Sequence, residues 1–241
     1  MRIIDVSEWQ GDIDFQRVKA DKIDGVIIRA GYGKGHVDGW FAANICKAIA
    51  AGMHIGVYWF SYAYIECMAE NEAILCDHII RPYKDSIDLG VYFDWEYDSK
   101  KYAENNGYVV TKRYVTDLTK IFCKKIDELG YDAGFYYNYD FRDNYYYMEE
   151  LPYRRWMAAW DNVQPDAYIW QYTDQGAVAG ISGSVDMDKL LGEAPAPVPK
   201  KDYKTVDDIV DGVWAGDFGN DEARKDNLYN YIQDKVNERV R

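Results

Sequence analysis

Leu89-Gly90-Val91-Tyr92-Phe93-Asp94-Trp95-Glu96-Tyr97 is the stretch on which the reading of this chain turns. Its first half is β-prone, and side chains alternate faces along a strand, so Tyr92, Asp94 and Glu96 share one face and Val91, Phe93 and Trp95 the other. The odd-numbered face is apolar and suits packing against helices, which leaves the even face for chemistry. Residues two apart on a strand have Cα atoms roughly 6.5 to 7 Å apart, and two acids on one face raise each other's cost of ionising. One can then keep a proton while the other is charged, the division that cleavage of a glycosidic bond requires. A solvated strand end carrying chance acids is the plainer reading of an isolated D-x-E; the flanking Tyr and Trp rings, on which sugars can stack, argue against it.

Further β-rich runs lie on either side, at Ile3 to Val6, Gly25 to Ala30, Ile55 to Phe60 and Ala133 to Tyr137, separated by helical spacing at Phe41 to Ala51, Glu66 to Ile80 and Thr111 to Leu129. Alternating β and α predicts a parallel sheet with helices outside. Gly52, Gly130 and Gly134 fall near predicted helix ends, where a left-handed cap is expected. After Tyr137 the strand-like runs Arg155 to Trp160, Ala167 to Tyr172 and Ser184 to Met187 follow too closely for full helices. The expected fold is α/β, a TIM-like barrel whose last third has lost its helices. Catalytic groups of such barrels sit at the carboxyl ends of strands, where Asp5, Asp94, Glu96 and Asp186 are expected.

Residues 1–192 read as one domain with a substantial core. Residues 193–202, with Pro195, Pro197 and Pro199, read as an extended linker, and 203–241 as a small all-α module with helical spacing at Val206, Ile209, Val210 and Val213. A segment that short, without a staple, has marginal stability.

A formal charge of −13 argues against nucleic acid and against a membrane held through basic residues. Tyr outnumbers Phe 23 to 8, so many rings keep a polar edge, as carbohydrate binders need. Cys46, Cys67, Cys76 and Cys123 form no C-x-x-C pair and read as buried thiols of a reducing compartment; His36, His54 and His78 stand apart, so neither a metal nor a cofactor is expected. The amino terminus shows no secretory signal, and no segment is apolar enough to span a bilayer.

Several motifs, in order, resemble the glycoside hydrolase family 25 lysozymes of bacteriophages, bacteria and some eukaryotes. They are Asp5-Val6-Ser7-Glu8-Trp9-Gln10-Gly11 with Ile13-Asp14-Phe15, Gly56-Val57-Tyr58-Trp59-Phe60, Asp94-Trp95-Glu96, Trp156-Met157-Ala158, Trp170-Gln171-Tyr172-Thr173, Gly180-Ile181 and Val185-Asp186-Met187-Asp188. The resemblance implies a flattened, irregular barrel of five β/α units closed by three further strands. It also implies hydrolysis of the β-1,4 bond from N-acetylmuramic acid to N-acetylglucosamine in peptidoglycan. Carried over by position, Glu96 is the general acid and base, Asp94 its partner carboxylate, and Asp5 and Asp186 further acids on the groove floor. Glu96 is expected to be protonated at rest beside an anionic Asp94, and to activate water afterwards, giving retention. Asp94 is expected to steady an N-acetyl group that attacks the anomeric carbon rather than to attack it directly. Tyr58, Tyr62, Tyr136 and Trp160 are candidates for stacking on or hydrogen bonding to the glycan, and Gln171 for binding an acetamido group; Tyr32 and Tyr145 to Tyr147 are weaker ones.

The tail resembles the helical cell-wall-binding repeats that end certain phage lysins, with Trp214 and Arg224 as candidate ligand contacts. It has a single copy, shortened between Leu228 and Gln233, so useful affinity calls for self-association or for tethering. The expected setting is a phage or prophage endolysin, made in the host cytoplasm and acting on the wall after release. Two other readings are a family 18 chitinase, which places another aspartate where this chain has Tyr92, and a lectin that kept the groove without turnover.

Overall fold

The computed structural model describes residues 1–161, 163–196 and, beyond them, 209–210, 212–213, 224–225, 227–229 and 231–232. The chain opens on β1 (Arg2–Val6) and passes through α1 (Phe15–Ala20) to β2 (Gly25–Tyr32). A hairpin strand β3 (His36–Val37) and α2 (Phe41–Ala50) lead to β4 (His54–Phe60), and α3 (Glu66–Ile80) to β5 (Ile87–Asp94). Next come α4 (Tyr97–Asn105), α5 (Lys112–Glu128), β6 (Ala133–Asn138), α6 (Tyr139–Asn144) and β7 (Arg154–Ala158), after which β8 (Ile169–Gly176) and β9 (Val185–Leu190) follow without helices. Strands β1, β2, β4, β5, β6, β7 and β8 pair in parallel in that order. β9 runs antiparallel to both β8 and β1 and closes the barrel. These are the expected five β/α units and three closing strands.

Two apolar clusters follow from the period of two along each strand. Ile3, Ile27, Tyr58, Leu89, Tyr92, Trp156, Ile169 and Leu190 fill the barrel. Their neighbours Ile4, Val26, Val57, Val91, Phe93 and Phe135 point outward and pack under the helices. α5 shows why a helix settles there: Val115, Leu118, Phe122, Cys123 and Ile126 form one buried stripe, and the Thr111 hydroxyl caps its start by accepting from Tyr114 N–H at 3.2 Å.

Gly52 and Gly130 adopt the left-handed caps expected of them, at φ 67° and 81°. Gly134 does not. It lies inside β6 opposite Tyr92, and a Cβ there would stand 2.4 Å from the Tyr92 ring, so its missing side chain makes room for that ring. Cys46, Cys76 and Cys123 are buried as expected, whereas Cys67 is exposed on α3 because it falls on the solvent side of the helix. Most of the 203–241 segment lies outside the described residues; those of its positions that are described are helical. Among the described residues no helix is long and apolar enough to cross a membrane.

Candidate active site

At the carboxyl rim the interior turns from apolar to charged. Asp94 ends β5, 5% exposed, with Oδ1 buried and without a partner in the protein. Glu96 precedes α4 in extended backbone (φ −124°, ψ −163°), so the alternation continues past the strand end. Both carboxyls therefore face one cleft, while Trp95 between them joins the outer core and donates from Nε1 to Ala63 O at 3.0 Å. The backbone here is tied to the turn after β4. Ser61 N–H donates to Asp94 O (2.7 Å), the Ser99 hydroxyl to Ser61 O (2.6 Å), and Glu96 N–H to Ser99 Oγ (3.1 Å).

Burial raises Asp94 well above the usual carboxylate range, and the Glu96 charge and the hydrogen bond between the two carboxyls raise it further, against the pull of Arg29. Burial also pushes Glu96 up, to about 7; the bond to Asp94 lowers it, and Asp98 and Asp186 raise it. The pair therefore holds a proton through neutral pH. Burial is the main cause for both carboxyls, and Asp94 Oδ1 has no hydrogen-bond partner among the described residues.

A second set of acids forms the floor. Asp5 on β1 stands opposite Asp186 on β9. Asp186 lies near the start of its strand rather than at the carboxyl end, and reaches the same rim because β9 runs antiparallel. One inward step along β9, Asp188 is fully buried and accepts from Trp156 Nε1 at 2.7 Å. Burial pushes Asp188 up to about 8. Burial also raises Asp5 strongly, with Asp188 and then Asp186 adding to it. Asp5 accepts from Gln171 Nε2 at 2.9 Å, and Gln171 Oε1 accepts from the Tyr136 hydroxyl at 2.9 Å, so both ends of the Gln171 amide are held by protein groups.

Arg29 brings the cation into this acidic cleft. It donates from Nε to Asp38 and from Nη2 to Glu8, both at 2.8 Å, and Asp38 also accepts from the backbone N–H of Glu8 and of Trp40. These bonds fix the 3-10 turn Glu8–Gln10, on which Trp9 stands 81% exposed at the cleft mouth.

The cleft holds about 320 Å³ and is lined by Asp5, Asp94, Glu96 and Asp186, together with Tyr58, Tyr136, Trp160 and Gln171. Tyr62 does not line it: its ring packs behind Phe60, which does, at 5.3 Å between centroids. Tyr32 stacks on His36, and Tyr146 is buried in the outer core. Trp214 lies outside the described residues, and Arg224 is an exposed helical position. Arg29, Asp38, Trp9, Asp174 and Asp188 were not singled out from sequence. Asp188 carried a readable signal, since two residues after Asp186 on a strand is the same face.

Autolytic lysozyme of Clostridium acetobutylicum is 28% identical over 197 residues, covering 79% of this chain and 56% of its own length. Lysozyme M1 of Streptomyces globisporus is 26% identical over 202 residues, covering 79% of this chain and 68% of its own. Among solved structures, the modular autolysin LytC from Streptococcus pneumoniae matches with a TM-score of 0.65 and 28% identity over 78% of this chain and 46% of that one. A family 25 glycosyl hydrolase from Bacillus anthracis matches the fold with a TM-score of 0.68 and 22% identity over 80% of this chain and 89% of that one. Residues 4–181, which carry Asp5, Asp94, Glu96, Tyr136 and Gln171, match the sequence model of the glycosyl hydrolases family 25, and the chain belongs to that family.

Proposed function

We propose that this protein is a lysozyme of the N-acetylmuramidase type, cutting the β-1,4 bond from N-acetylmuramic acid to N-acetylglucosamine in bacterial peptidoglycan with retention. The chain spans 56% of the length of autolytic lysozyme and 46% of LytC. The observation that carries the reading is the adjacency of Asp94 and Glu96 in one aromatic-walled cleft. Glu96, near 7, suits a general acid working at neutral pH. It gives its proton to the bridging oxygen and, once the leaving sugar has gone, takes one from water.

The hydrogen bond between the carboxyls also bears on Asp94's role. Retaining pairs that attack directly grip the sugar from opposite sides, roughly 5 to 5.5 Å apart, and inverting pairs stand wider still. A hydrogen bond between Asp94 and Glu96 favours a shared position on one side of the scissile bond. That supports a role for Asp94 in holding the acetamido group of the substrate, whose own oxygen attacks the anomeric carbon.

Tyr92 separates this strand from a chitinase pattern, since it occupies the place of a third carboxyl and donates instead to Leu89 O at 2.6 Å inside the barrel. The test is mass spectrometry of purified peptidoglycan after digestion. New reducing ends on N-acetylmuramic acid are expected, and Glu96→Gln should lower the rate by about 10² to 10⁴. Equal turnover by the variant removes Glu96 from its role, and no turnover by either protein favours a binding function. The same reading places the action at the wall of a lysed or lysing bacterium, in the manner of a phage or prophage endolysin.

A further inference from the structure

Phe60, on the cleft wall, begins a row of aromatic rings. Its ring meets Tyr62 at 5.3 Å, Tyr62 meets Tyr102 at 5.3 Å, Tyr102 meets Tyr64 at 5.8 Å, and Tyr64 meets Tyr108 at 5.3 Å. The row is assembled from three separate segments: the turn after β4, helix α4 and the connection from α4 to α5. It emerges at Tyr108, 39% exposed, beside Val109, 80% exposed. Tyr62, Tyr64 and Tyr102 keep part of their surface in water. The Tyr114 hydroxyl fixes the middle of the row by donating to Tyr64 O at 2.6 Å.

Packing alone would be served by Phe or Leu. A half-exposed tyrosine offers an apolar face with a wet polar edge, which matches a sugar ring and its hydroxyls. The row begins at a residue of the cleft wall, so a polymer threaded through the cleft meets it next.

We infer that the row Tyr62, Tyr102, Tyr64 and Tyr108 is a second saccharide-binding site, a track that holds the β-1,4-linked amino-sugar chain where it leaves the cleft past Phe60. This rests on the function proposed above. The track adds affinity for long strands and nothing for fragments short enough to stay within the cleft.

The experiment compares kcat/KM on long glycan strands, freed of peptide by an amidase, with that on tetrasaccharide fragments of the same wall. Tyr108→Ala should lower the long-to-short ratio about threefold to tenfold, chiefly through KM on the long strands. Tyr108→Phe keeps the ring face and loses only the polar edge, so it should restore most of the ratio. Tyr102→Leu, in the middle of the row, should lower it as Tyr108→Ala does. A ratio unchanged in both truncations, or an equal loss on long and short substrates, overturns the track while leaving the muramidase reading intact. A wild-type protein that cuts neither substrate overturns both.

Discussion

Glu72, in the middle of α3 and 2% exposed, accepts a hydrogen bond from the backbone N–H of Tyr62 at 3.2 Å. It holds from beneath the turn whose Ser61 bonds both the Asp94 carbonyl and the Ser99 hydroxyl. Its second oxygen is buried near the Ser61 hydroxyl and the Trp59 indole, without a well-aligned bond. A buried carboxylate would be costly there, and burial pushes Glu72 up to about 8.

The pH dependence of stability follows from that value. The folded form holds the proton more tightly than the unfolded chain, so Glu72's contribution is full below about 4.5 and is lost as pH rises to about 8. Asp188, also near 8, acts in the same direction. Melting temperatures measured from pH 5 to 8 should fall for the wild type, and Glu72→Gln should flatten part of that fall. An identical slope in the variant would show that Glu72 is ionised in the fold.

The rate has its own titration. A general acid must be protonated, so turnover should decline as pH rises through about 7. Asp98, on the first turn of α4, is one of the charges that raise Glu96. Asp98→Asn should therefore move the alkaline limb of the kcat/KM profile to lower pH, with little change at its plateau. A limb that stays in place would mean that another group controls it.

Much of this site was legible because period-two alternation survives into the structure. Asp94 and Glu96, their apolar partners, and the inward Tyr58, Tyr136 and Gln171 all lie where strand geometry put them. What escaped depended on contacts between distant segments. Arg29 and Asp38 are separated by a hairpin, and each looks like an ordinary surface charge until β2 is known to form a barrel wall. The α4 helix escaped because it buries only Ser99 and Ala103, too few positions to leave an apolar stripe. The direction of β9, and with it the end of the strand on which Asp186 sits, is set by barrel closure rather than by local sequence.

Asp188 separates a structural from an electrostatic contribution. Asp188→Asn keeps an acceptor for Trp156 Nε1, whereas Asp188→Leu leaves that buried N–H unpaired. The leucine variant should lose about 1 to 3 kcal/mol in urea unfolding, and the asparagine variant much less. Both remove a charge that raises Asp5, so both should lower the Asp5 pKa, a shift that carboxylate NMR titration reads directly. Equal losses of stability would show that the Trp156 bond carries no weight.

Trp9 stands largely in solvent, so Trp9→Ala should leave the unfolding free energy within about 0.5 kcal/mol of wild type. Its ring at the cleft mouth is free to stack on sugar, and KM on glycan strands should rise severalfold at nearly constant kcat. A fall in kcat with KM unchanged would place Trp9 in the chemical step instead.

Arg29→Met should be the most damaging of the cleft-wall substitutions, because it strands a buried charge. Asp38 is 1% exposed and keeps only its two backbone N–H donors once the guanidinium is gone, and Glu8 loses its partner. Breaking a buried pair from one side costs about 3 to 5 kcal/mol. Loss of Arg29 also removes the charge that opposes protonation of Asp94, so that carboxyl should rise further. With Asp94 anionic in the reaction, holding the acetamido group, kcat should fall in the variant even at temperatures where it remains folded. Arg29,Asp38→Met,Leu, which removes both charges, should regain stability without regaining that rate; recovery of both together would mean that Arg29 acts only through the fold.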